Sequence, residues 1–269
     1  MVEDRAVYFP LTRRSNRRVP DTRPIVSAFT ERLGSPMPRS EQGELMDEPI
    51  ENKSELAENF RDIERVNGLL GGTAIILRHL PSLLPPVGQP VTILDLATGS
   101  ADIPVAIVRW ARRKGLDVTV IASDNTPDML DLAREKSAGF PEISVRQLDA
   151  RAVDLPDKHV DIVLCSLALH HFDPDTAVQV LREMHRLGGR GFILNDLKRG
   201  RLGFAAAWLA SRVTTRNRLT RNDAPLSVRR AYTLAELGEL LRLAGIYGAT
   251  ISTHPWFRMA AVFRAEGRQ

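Results

Sequence analysis

Short apolar runs alternate with segments of helical periodicity from Val91 onward, and this alternation constrains the fold more than any other feature of the chain. The runs have the length and the β-branched content of strands and fall at residues 91–96, 118–123, 143–147, 160–166 and 190–196. Strands that alternate with helices form parallel, doubly wound α/β sheets, in which ligands bind at the carboxyl ends of the strands. Two further runs, at residues 248–253 and 257–265, predict a closing pair of strands.

The region before the sheet predicts helices. Residues 54–84 carry apolar side chains at helical spacing, and Ser54 is a candidate N-cap. The sequence "NGLLGG" predicts a break in this helix, and the prolines of "PSLLPP" predict its end. We therefore divide the chain into a basic tail at residues 1–42, a helical region at 43–88 and an α/β domain at 89–269.

The net charge of +4 belongs to the N-terminal tail. Residues 1–40 contain eight arginines, no lysine and four acids, which leaves 29 basic and 29 acidic residues in the remainder. Five prolines and few periodic apolar positions predict that the tail is poorly ordered, and we expect residues 1–40 to be dispensable for catalysis. The tail is either a solvated extension or a contact for phosphate or acidic lipid. The neutral remainder argues against nucleic acid as a partner.

Three features predict a cytoplasmic protein. No apolar run approaches the roughly 18 residues that a membrane span needs, and the arginines near the N-terminus are not followed by the apolar segment of a secretory signal. The single cysteine, Cys165, excludes an intramolecular disulfide and a multi-cysteine metal site. Its place in "VDIVLCSLAL" predicts inert packing within a strand. We predict no metal site.

A loop with a single glycine follows the first predicted strand in "VTILDLATGSADIPVA", and an acid precedes it. Dinucleotide-binding turns carry three glycines that let the backbone wrap around a pyrophosphate, whereas Ala97 and Ala101 occupy two of those positions here. Because alanine disfavours positive φ, we expect this loop to approach a pyrophosphate less closely. The carboxylate of Asp95 would repel phosphate and favour a cationic ligand. S-adenosylmethionine has a cationic amino group and a sulfonium and carries no phosphate.

The segment "LDLATGSAD" resembles the first motif of class I S-adenosylmethionine-dependent methyltransferases, in which an acid followed by Gly-x-Gly-x-Gly is usual. The resemblance covers residues 59–263 and is closest to the small-molecule branch that includes the ubiquinone and menaquinone C-methyltransferases. The later segment "NDLKRG" resembles bacterial methyltransferases of polyketide and quinone-type products. The resemblance implies a Rossmann-like, mostly parallel sheet of seven strands whose last strand is antiparallel, preceded by N-terminal helices. It implies S-adenosylmethionine as cofactor and S-adenosylhomocysteine as product.

The resemblance also implies a set of cofactor-binding residues. Asp124, at the end of the second predicted strand, matches the acid that accepts both ribose hydroxyls, and Asp149 matches the acid that contacts the adenine amine. A helix cap or a loop hydrogen bond is the alternative for each acid taken alone. The complete predicted cofactor site is Asp95, Ala97, Thr98, Gly99, Ser100, Asp124, Asn125, Asp149, Ala150 and Ser166.

Two histidines follow the fourth predicted strand in "VDIVLCSLALHHF", where an acceptor must approach the methyl group. A phenol is unionised at neutral pH and gains from a base, and histidine has a suitable pKa. His170 or His171 is therefore a candidate catalytic base or orienting donor, and Asp196 is a candidate for orienting that histidine. The alternatives are a histidine bonded to the loop backbone and an aspartate in a solvated turn.

Residues 201–230 contain seven arginines and one acid, and their first half carries Phe204, Trp208 and Leu209. In the family that the chain resembles, such a segment covers the substrate pocket; a surface helix is the alternative. An apolar wall with a basic rim suits a small, largely apolar aromatic acceptor such as a phenol, a quinol or a polyketide-type metabolite. Methylation of RNA or protein, and cofactor binding without catalysis, are the alternative functions. A homodimer is compatible with the sequence.

Overall fold

The computed structural model describes residues 37–47, 52–86 and 88–265, so the predictions for residues 1–36 lie outside the described part. The helices that it describes are α1 (Lys53–Leu69), α2 (Gly72–His79), α3 (Asp102–Lys114), α4 (Pro127–Ser137), α5 (Pro174–Leu187), α6 (Arg201–Thr214), α7 (Arg218–Arg230) and α8 (Leu234–Leu243). The strands are β1 (Val91–Leu96), β2 (Val118–Asp124), β3 (Ile143–Gln147), β4 (Val160–Ser166), β5 (Gly188–Leu197), β6 (Thr250–His254) and β7 (Arg258–Arg264). Short 3-10 turns lie at Leu45–Asp47, Leu80–Ser82 and Leu169–His171.

These strands form one sheet in the order β3-β2-β1-β4-β5-β7-β6. Strands β1 to β5 are parallel, and β7 is antiparallel to both of its neighbours. The prediction of a mostly parallel seven-stranded α/β sheet with an antiparallel last strand, preceded by helices, is confirmed. The strand order reverses between β1 and β4, which is the point where such sheets bind ligands. The loops that follow Leu96 and Ser166 therefore meet at the same edge of the sheet.

Side chains of the strands alternate between two hydrophobic layers, because successive residues of a strand point to opposite faces of the sheet. On one face, Ile93 and Ile162 pack among residues of α2 and α3. On the other face, Leu94 and Cys165 pack among residues of α5 and α8. Cys165 is fully buried, and burial raises the pKa of its thiol well above the ordinary value, as expected for an unreactive core residue.

The helix predicted from Ser54 begins one residue earlier. Its N-cap is Asn52, whose side chain accepts hydrogen bonds from the amides of Ser54 and Glu55, so the choice of Ser54 as the cap is wrong. Asparagine caps helices as well as serine does, and the spacing of apolar residues does not distinguish the two positions. The predicted break is confirmed, because α1 ends at Leu69 and Gly71 adopts a φ of +78° before α2 begins.

Residues 201–230 form two helices, and the second one covers the turn at Leu169–His171. Helix α6 packs on α7, which in turn contacts α1 and the turns at Leu45–Asp47 and Leu169–His171. The expected pocket wall faces outward instead, with Trp208 44% and Leu209 58% exposed. The buried positions of α6 are the small residues Gly203 and Ser211, whereas Phe204 is half-buried. No helix in the described part of the chain is both long and apolar enough to cross a bilayer.

Candidate active site

The loop between β1 and α3 holds three residues in the left-handed region: Ala97 at φ +53°, Gly99 at +55° and Ala101 at +61°. The expectation that the two alanines would resist positive φ is therefore wrong. Hydrogen bonds fix the loop, since the Thr98 amide donates to the Ser123 carbonyl at 2.8 Å and the Ala101 amide donates to the Thr98 carbonyl at 3.0 Å. These contacts hold a conformation that costs an alanine about 1–2 kcal/mol. The backbone thus has the shape of a three-glycine turn.

Asp95 lies at the end of β1 beneath this loop and is buried. The Thr98 hydroxyl donates to its Oδ2 at 2.6 Å, whereas its Oδ1 has no hydrogen-bond partner. Burial, helped by the nearby charges of Asp102 and Asp124 and opposed by the Thr98 hydrogen bond, raises the pKa of this carboxyl to about 7. An unpartnered buried carboxylate oxygen is a strong acceptor for an ammonium group. The site therefore fits a ligand that brings a positive charge.

Asp124, the last residue of β2, lies beside the same loop. Its Oδ2 accepts a hydrogen bond from the Gly99 amide and its Oδ1 accepts one from the Thr126 amide, each at 3.0 Å. Burial raises the pKa of the Asp124 carboxyl. Phe60 of α1 covers Gly99 so closely that a Cβ at this glycine would lie 2.8 Å from the phenyl ring. The structure therefore brings Asp95, Gly99 and Asp124 together and leaves room for glycine alone at position 99.

The carboxylate of Asp149 forms an ion pair that the sequence analysis did not anticipate. Arg151 donates to both carboxylate oxygens, from Nε at 2.9 Å and from Nη2 at 2.6 Å. Hydrogen bonding to this guanidinium lowers the pKa of Asp149. Ala150 is buried beside it. Asp149 and Arg151 are two positions apart in the sequence. Their side chains can meet because they lie in the loop after β3 and not within an extended strand.

Three remaining predicted cofactor residues lie at the same edge of the sheet. Ser100 is buried in the loop before α3. Asn125 is exposed, and its carbonyl accepts a hydrogen bond from the Gln147 side chain at 3.0 Å. The Ser166 hydroxyl accepts a hydrogen bond from the Asn195 side chain at 2.8 Å. These residues follow or end β1, β2 and β4, whose carboxyl ends lie at one edge of the sheet.

His170 and Asp196 form a buried pair at the ends of β4 and β5. The imidazole Nδ1 lies 2.7 Å from Asp196 Oδ1, and the His170 amide donates to Asp196 Oδ2 at 3.0 Å. A carboxylate only accepts hydrogen bonds, so Nδ1 carries a proton, and the neutral form of the ring has its lone pair on Nε2. The pair thus fixes both the tautomer and the orientation of the ring.

Two acids that the sequence analysis missed complete this cluster. Glu44 is buried, with its Oε1 3.6 Å from His170 Nε2 and its Oε2 3.8 Å from His171 Nε2. Asp47 Oδ1 lies 2.7 Å from His171 Nδ1, although the two residues are 124 positions apart in the chain. Burial raises the pKa of Glu44 to about 7. No local pattern in "GELMD" indicates this contact, because it depends on where the segment docks.

Two arginines hold the backbone of the histidine turn. Arg230, at the end of α7, donates to the carbonyls of His170 at 3.3 Å and of His171 at 2.6 Å. Arg39 donates to the carbonyls of His170 at 3.0 Å and of Phe172 at 2.7 Å, and its guanidinium lies 4.5 Å from the centroid of the Tyr232 ring. Arg39 was assigned from the sequence to a poorly ordered tail. The structure instead packs it against the candidate site.

Comparison with known proteins identifies the type of domain. The family model described as "Methyltransferase domain" matches residues 93–191. The demethylmenaquinone methyltransferase of Deinococcus radiodurans is 36% identical over 111 residues, which cover 39% of this chain and 43% of that protein. The chain thus spans less than half the length of the curated relatives that it matches.

Solved structures resemble the chain over a larger part of its length. A SAM-dependent methyltransferase from Aquifex aeolicus superimposes with a TM-score of 0.53 at 18% identity, over 78% of this chain and 97% of that one. The structure titled "PigF with SAH" superimposes with a TM-score of 0.55 at 20% identity, over 80% and 60% of the two chains. At these identities the likeness concerns the fold. Residues 93–191 are therefore similar to methyltransferase domains, and the fold of the chain resembles that of solved S-adenosylmethionine-dependent methyltransferases.

Proposed function

We propose that the chain transfers a methyl group from S-adenosylmethionine to a small, largely apolar aromatic acceptor: a phenol, a quinol or an activated ring carbon of polyketide type. The observation that carries this proposal is the buried His170–Asp196 pair, which lies at the same edge of the sheet as the loop above Asp95. The relative from Deinococcus radiodurans is named for a menaquinone precursor, and we extend that class of acceptor to this chain.

The residues at the ends of β1 to β3 suit the cofactor. Asp95 Oδ1, which lacks a partner, can accept the hydrogen bonds of the α-ammonium group. Asp124 can accept the ribose hydroxyls, and Asn125 and Ala150 would border the adenine. Because a carboxylate offers about four lone-pair sites, Asp149 can accept the adenine amine while it holds its arginine. The bound cofactor supplies an electrophilic methyl group on a sulfonium.

His170 is suited to take the proton of the acceptor hydroxyl, or to orient it. The Nε2 lone pair is available because Asp196 holds the proton on Nδ1. A phenol with a pKa of about 10 is mostly protonated at neutral pH, so a positioned base is useful and typically contributes about 10²–10⁴-fold. Asp196 would stabilise the imidazolium that forms. In-line alignment of acceptor and methyl group would supply several kcal/mol more.

The remaining assignments concern the surroundings of the site. We propose that residues 201–230 cover the acceptor through α7, which lies over the histidine turn. The division into residues 1–42, 43–88 and 89–269 is retained as a proposal, with Arg39 counted as part of the site's support. We propose action in the cytoplasm, which fits a chain with one buried free cysteine. A homodimer stays a testable option.

Incubation with labelled S-adenosylmethionine and a panel of phenols, quinols and RNA tests this function. We expect methylation of a phenol or quinol, and we expect His170→Ala to lower turnover by about 10²-fold or more with cofactor affinity unchanged. His185→Ala is the matched control, because that histidine packs against Phe263, which pairs with Phe192 in the first half of β5, whereas the loop region lies at the carboxyl ends of the strands. Methylation of RNA alone contradicts the acceptor class. Full turnover of His170→Ala contradicts the role of the histidine, and saturable NAD binding without binding of the adenosyl ligand contradicts the cofactor.

A further inference from the structure

Three ligand atoms converge inside the cluster formed by Glu44, His170 and His171. The Nε2 atoms of the two histidines lie 3.6 and 3.8 Å from the two oxygens of Glu44, and the ligand atoms of all three residues lie within 4.8 Å of one another. The imidazole rings are tilted by 35° with centroids 4.4 Å apart. Glu44 and His170 are buried, whereas the His171 side chain is 21% exposed.

Each imidazole is oriented from behind by a carboxylate. Asp196 accepts from His170 Nδ1 and Asp47 accepts from His171 Nδ1, each at 2.7 Å. Both rings therefore carry their proton on Nδ1 and aim the Nε2 lone pair at Glu44. A carboxylate behind the outer nitrogen of a histidine is the usual support of a metal ligand, because it fixes the tautomer and raises the basicity of the ring.

The cluster contains more negative than positive charge. Glu44, Asp47, Asp196 and the neighbouring Asp223 contribute four carboxyl groups. Three guanidinium groups oppose them: Arg230, 3.8 Å from Glu44 Oε1, Arg39, which donates to the His170 carbonyl, and Arg258 near Asp196. Glu44 Oε1 is buried and has no hydrogen-bond partner. The Nε2 atoms of the two rings thus face the Glu44 carboxyl group at 3.6 and 3.8 Å without a hydrogen bond to it. Such an arrangement is stabilised by a cation placed between the three groups.

We propose that Glu44, His170 and His171 bind a divalent transition-metal ion such as Zn²⁺. Two imidazoles and one carboxylate form a ligand set that such ions prefer, and three protein ligands leave a position open for an oxygen of another molecule. Bonds of about 2.0–2.1 Å in tetrahedral geometry place neighbouring ligand atoms about 3.3 Å apart. The separations of 3.6 and 3.8 Å between each histidine and its nearer Glu44 oxygen are close to this value, and the ligand atoms of all three residues lie within 4.8 Å of one another, so small rotations of the side chains would complete the site. This proposal departs from the expectation, drawn from the sequence, that the chain has no metal site.

The segment that carries Glu44 is held in place for this role. Asp223 of α7 accepts hydrogen bonds from the amides of Leu45 at 2.9 Å and of Met46 at 3.1 Å. These bonds fix the turn between Glu44 and Asp47 against the histidines, so little ordering is left to accompany binding of the ion. The partial exposure of His171 gives the ion a route of entry.

The ion would act on the acceptor oxygen, and this part of the inference rests on the proposed function. A phenol or quinol oxygen bound at the open position would lose its proton more readily, since a divalent cation stabilises the oxyanion. His170 would then orient the acceptor through the ion that it binds. Binding of the ion is independent of whether the acceptor class is correct.

Titration of the chelator-treated full chain with Zn²⁺, followed by calorimetry and by measurement of metal content, tests the site. We expect one ion per chain, with affinity weakened at least about 100-fold in Glu44→Gln and in His171→Ala, and about 10–100-fold in Asp196→Asn. Because His171 is partly exposed, we expect His171→Ala to disturb folding less than the other two replacements. Visible absorption of the Co²⁺ form should change in the same three variants.

The matched control is the double replacement of His79 and His254. Their Nε2 atoms lie 3.4 Å apart at the β6 edge of the sheet, so they form a second close histidine pair away from the Glu44 cluster. Unchanged Zn²⁺ affinity in this control supports the proposal. Loss of binding in the control, equal affinity in Glu44→Gln, or failure of the wild-type chain to retain Zn²⁺ would overturn it. Zn²⁺ binding without methylation of any phenol or quinol would refute the proposed acceptor and leave the metal site standing.

Discussion

Replacement of Asp95 by asparagine removes one ionisable group from the loop region. It tests separately how the charge of Asp95 affects the stability of the fold and the binding of the cofactor. Asparagine keeps the size of the side chain and an oxygen that accepts from the Thr98 hydroxyl. It cannot ionise, so it does not incur the cost of a buried charge. We expect Asp95→Asn to be more stable than the wild type near neutral pH without cofactor, and to bind S-adenosylmethionine more weakly.

The magnitude follows from the pKa of the carboxyl. Burial raises it from 3.8 to about 7, against the opposing hydrogen bond of Thr98, and the groups that face it are Asp102, Asp124 and the Cys165 thiol. At about 1.4 kcal/mol per pKa unit, ionisation of this carboxyl in the cofactor-free protein costs about 4 kcal/mol. The folded state holds the proton more tightly than the unfolded chain. The stabilisation is therefore complete below about pH 4 and is lost as the pH rises to about 7.

Cofactor binding should reverse the protonation of Asp95. An ammonium group beside the carboxylate favours the ionised form, so binding at about pH 6.5 should release most of one proton from a carboxyl that is mainly protonated there. Calorimetry in buffers of different ionisation enthalpy measures this release. Asp95→Asn should release correspondingly less and bind about 10–100-fold more weakly. Asp128→Asn, at a partly exposed acid that pairs with Lys53, should behave as the wild type. Equal proton release and equal affinity in Asp95→Asn would refute the binding mode.

Other consequences of the structure can be measured directly. Asp124→Ala should weaken cofactor binding by about 1.5–3 kcal/mol in a titration, because two charge-assisted hydrogen bonds to the ribose are lost. Ala97→Gly should raise the free energy of unfolding in urea by up to about 1 kcal/mol through relief of its positive φ, whereas Ala106→Gly within α3 should lower it by about 1 kcal/mol. Removal of residues 1–36 should leave turnover unchanged, while Arg39→Ala should lower the free energy of unfolding by about 2–3 kcal/mol because it strips donors from buried carbonyls.

The central parallel strands could be located from the sequence because both of their faces are buried. Such strands appear as continuous apolar runs, and β1 and β4 have the predicted bounds. The edge strand β3 is largely exposed, and its bounds also agree with the prediction. Strand β5 begins two residues earlier than predicted, at Gly188, where the glycines of "GGRG" indicate a turn. A register shift relative to β4 lies at this point, and a Cβ at Gly188 would come within 2.3 Å of the Gly191 carbonyl. The glycines permit an irregular strand here, which sequence patterns do not distinguish from a turn.

Some acids of the candidate site could be predicted from the sequence and others could not. Asp95 and Asp124 could be found because strand ends of a parallel sheet converge at one edge, whatever their separation in sequence. Glu44 and Asp47 could not, because their position depends on the docking of a short turn on Asp223. The Arg151 contact with Asp149 depends on the local path of the loop after β3. Tertiary contacts of this kind leave no periodic pattern in the sequence.

The state of their hydrogen bonds separates the acids that build the site from those that await a ligand. Both oxygens of Asp124 and of Asp196 accept hydrogen bonds from the chain itself, so folding alone accounts for them. Within the described residues, the buried carboxylate oxygens without a partner belong to Asp95 and Glu44. Each unpaired acceptor costs about 1–3 kcal/mol, and the fold gains nothing in return. Buried polar groups that lack a hydrogen bond occur mainly at functional positions. Asp95 lies where we place the ammonium group of the cofactor, and Glu44 lies where we place a metal ion, so in both cases a cation would provide the partner that the chain does not.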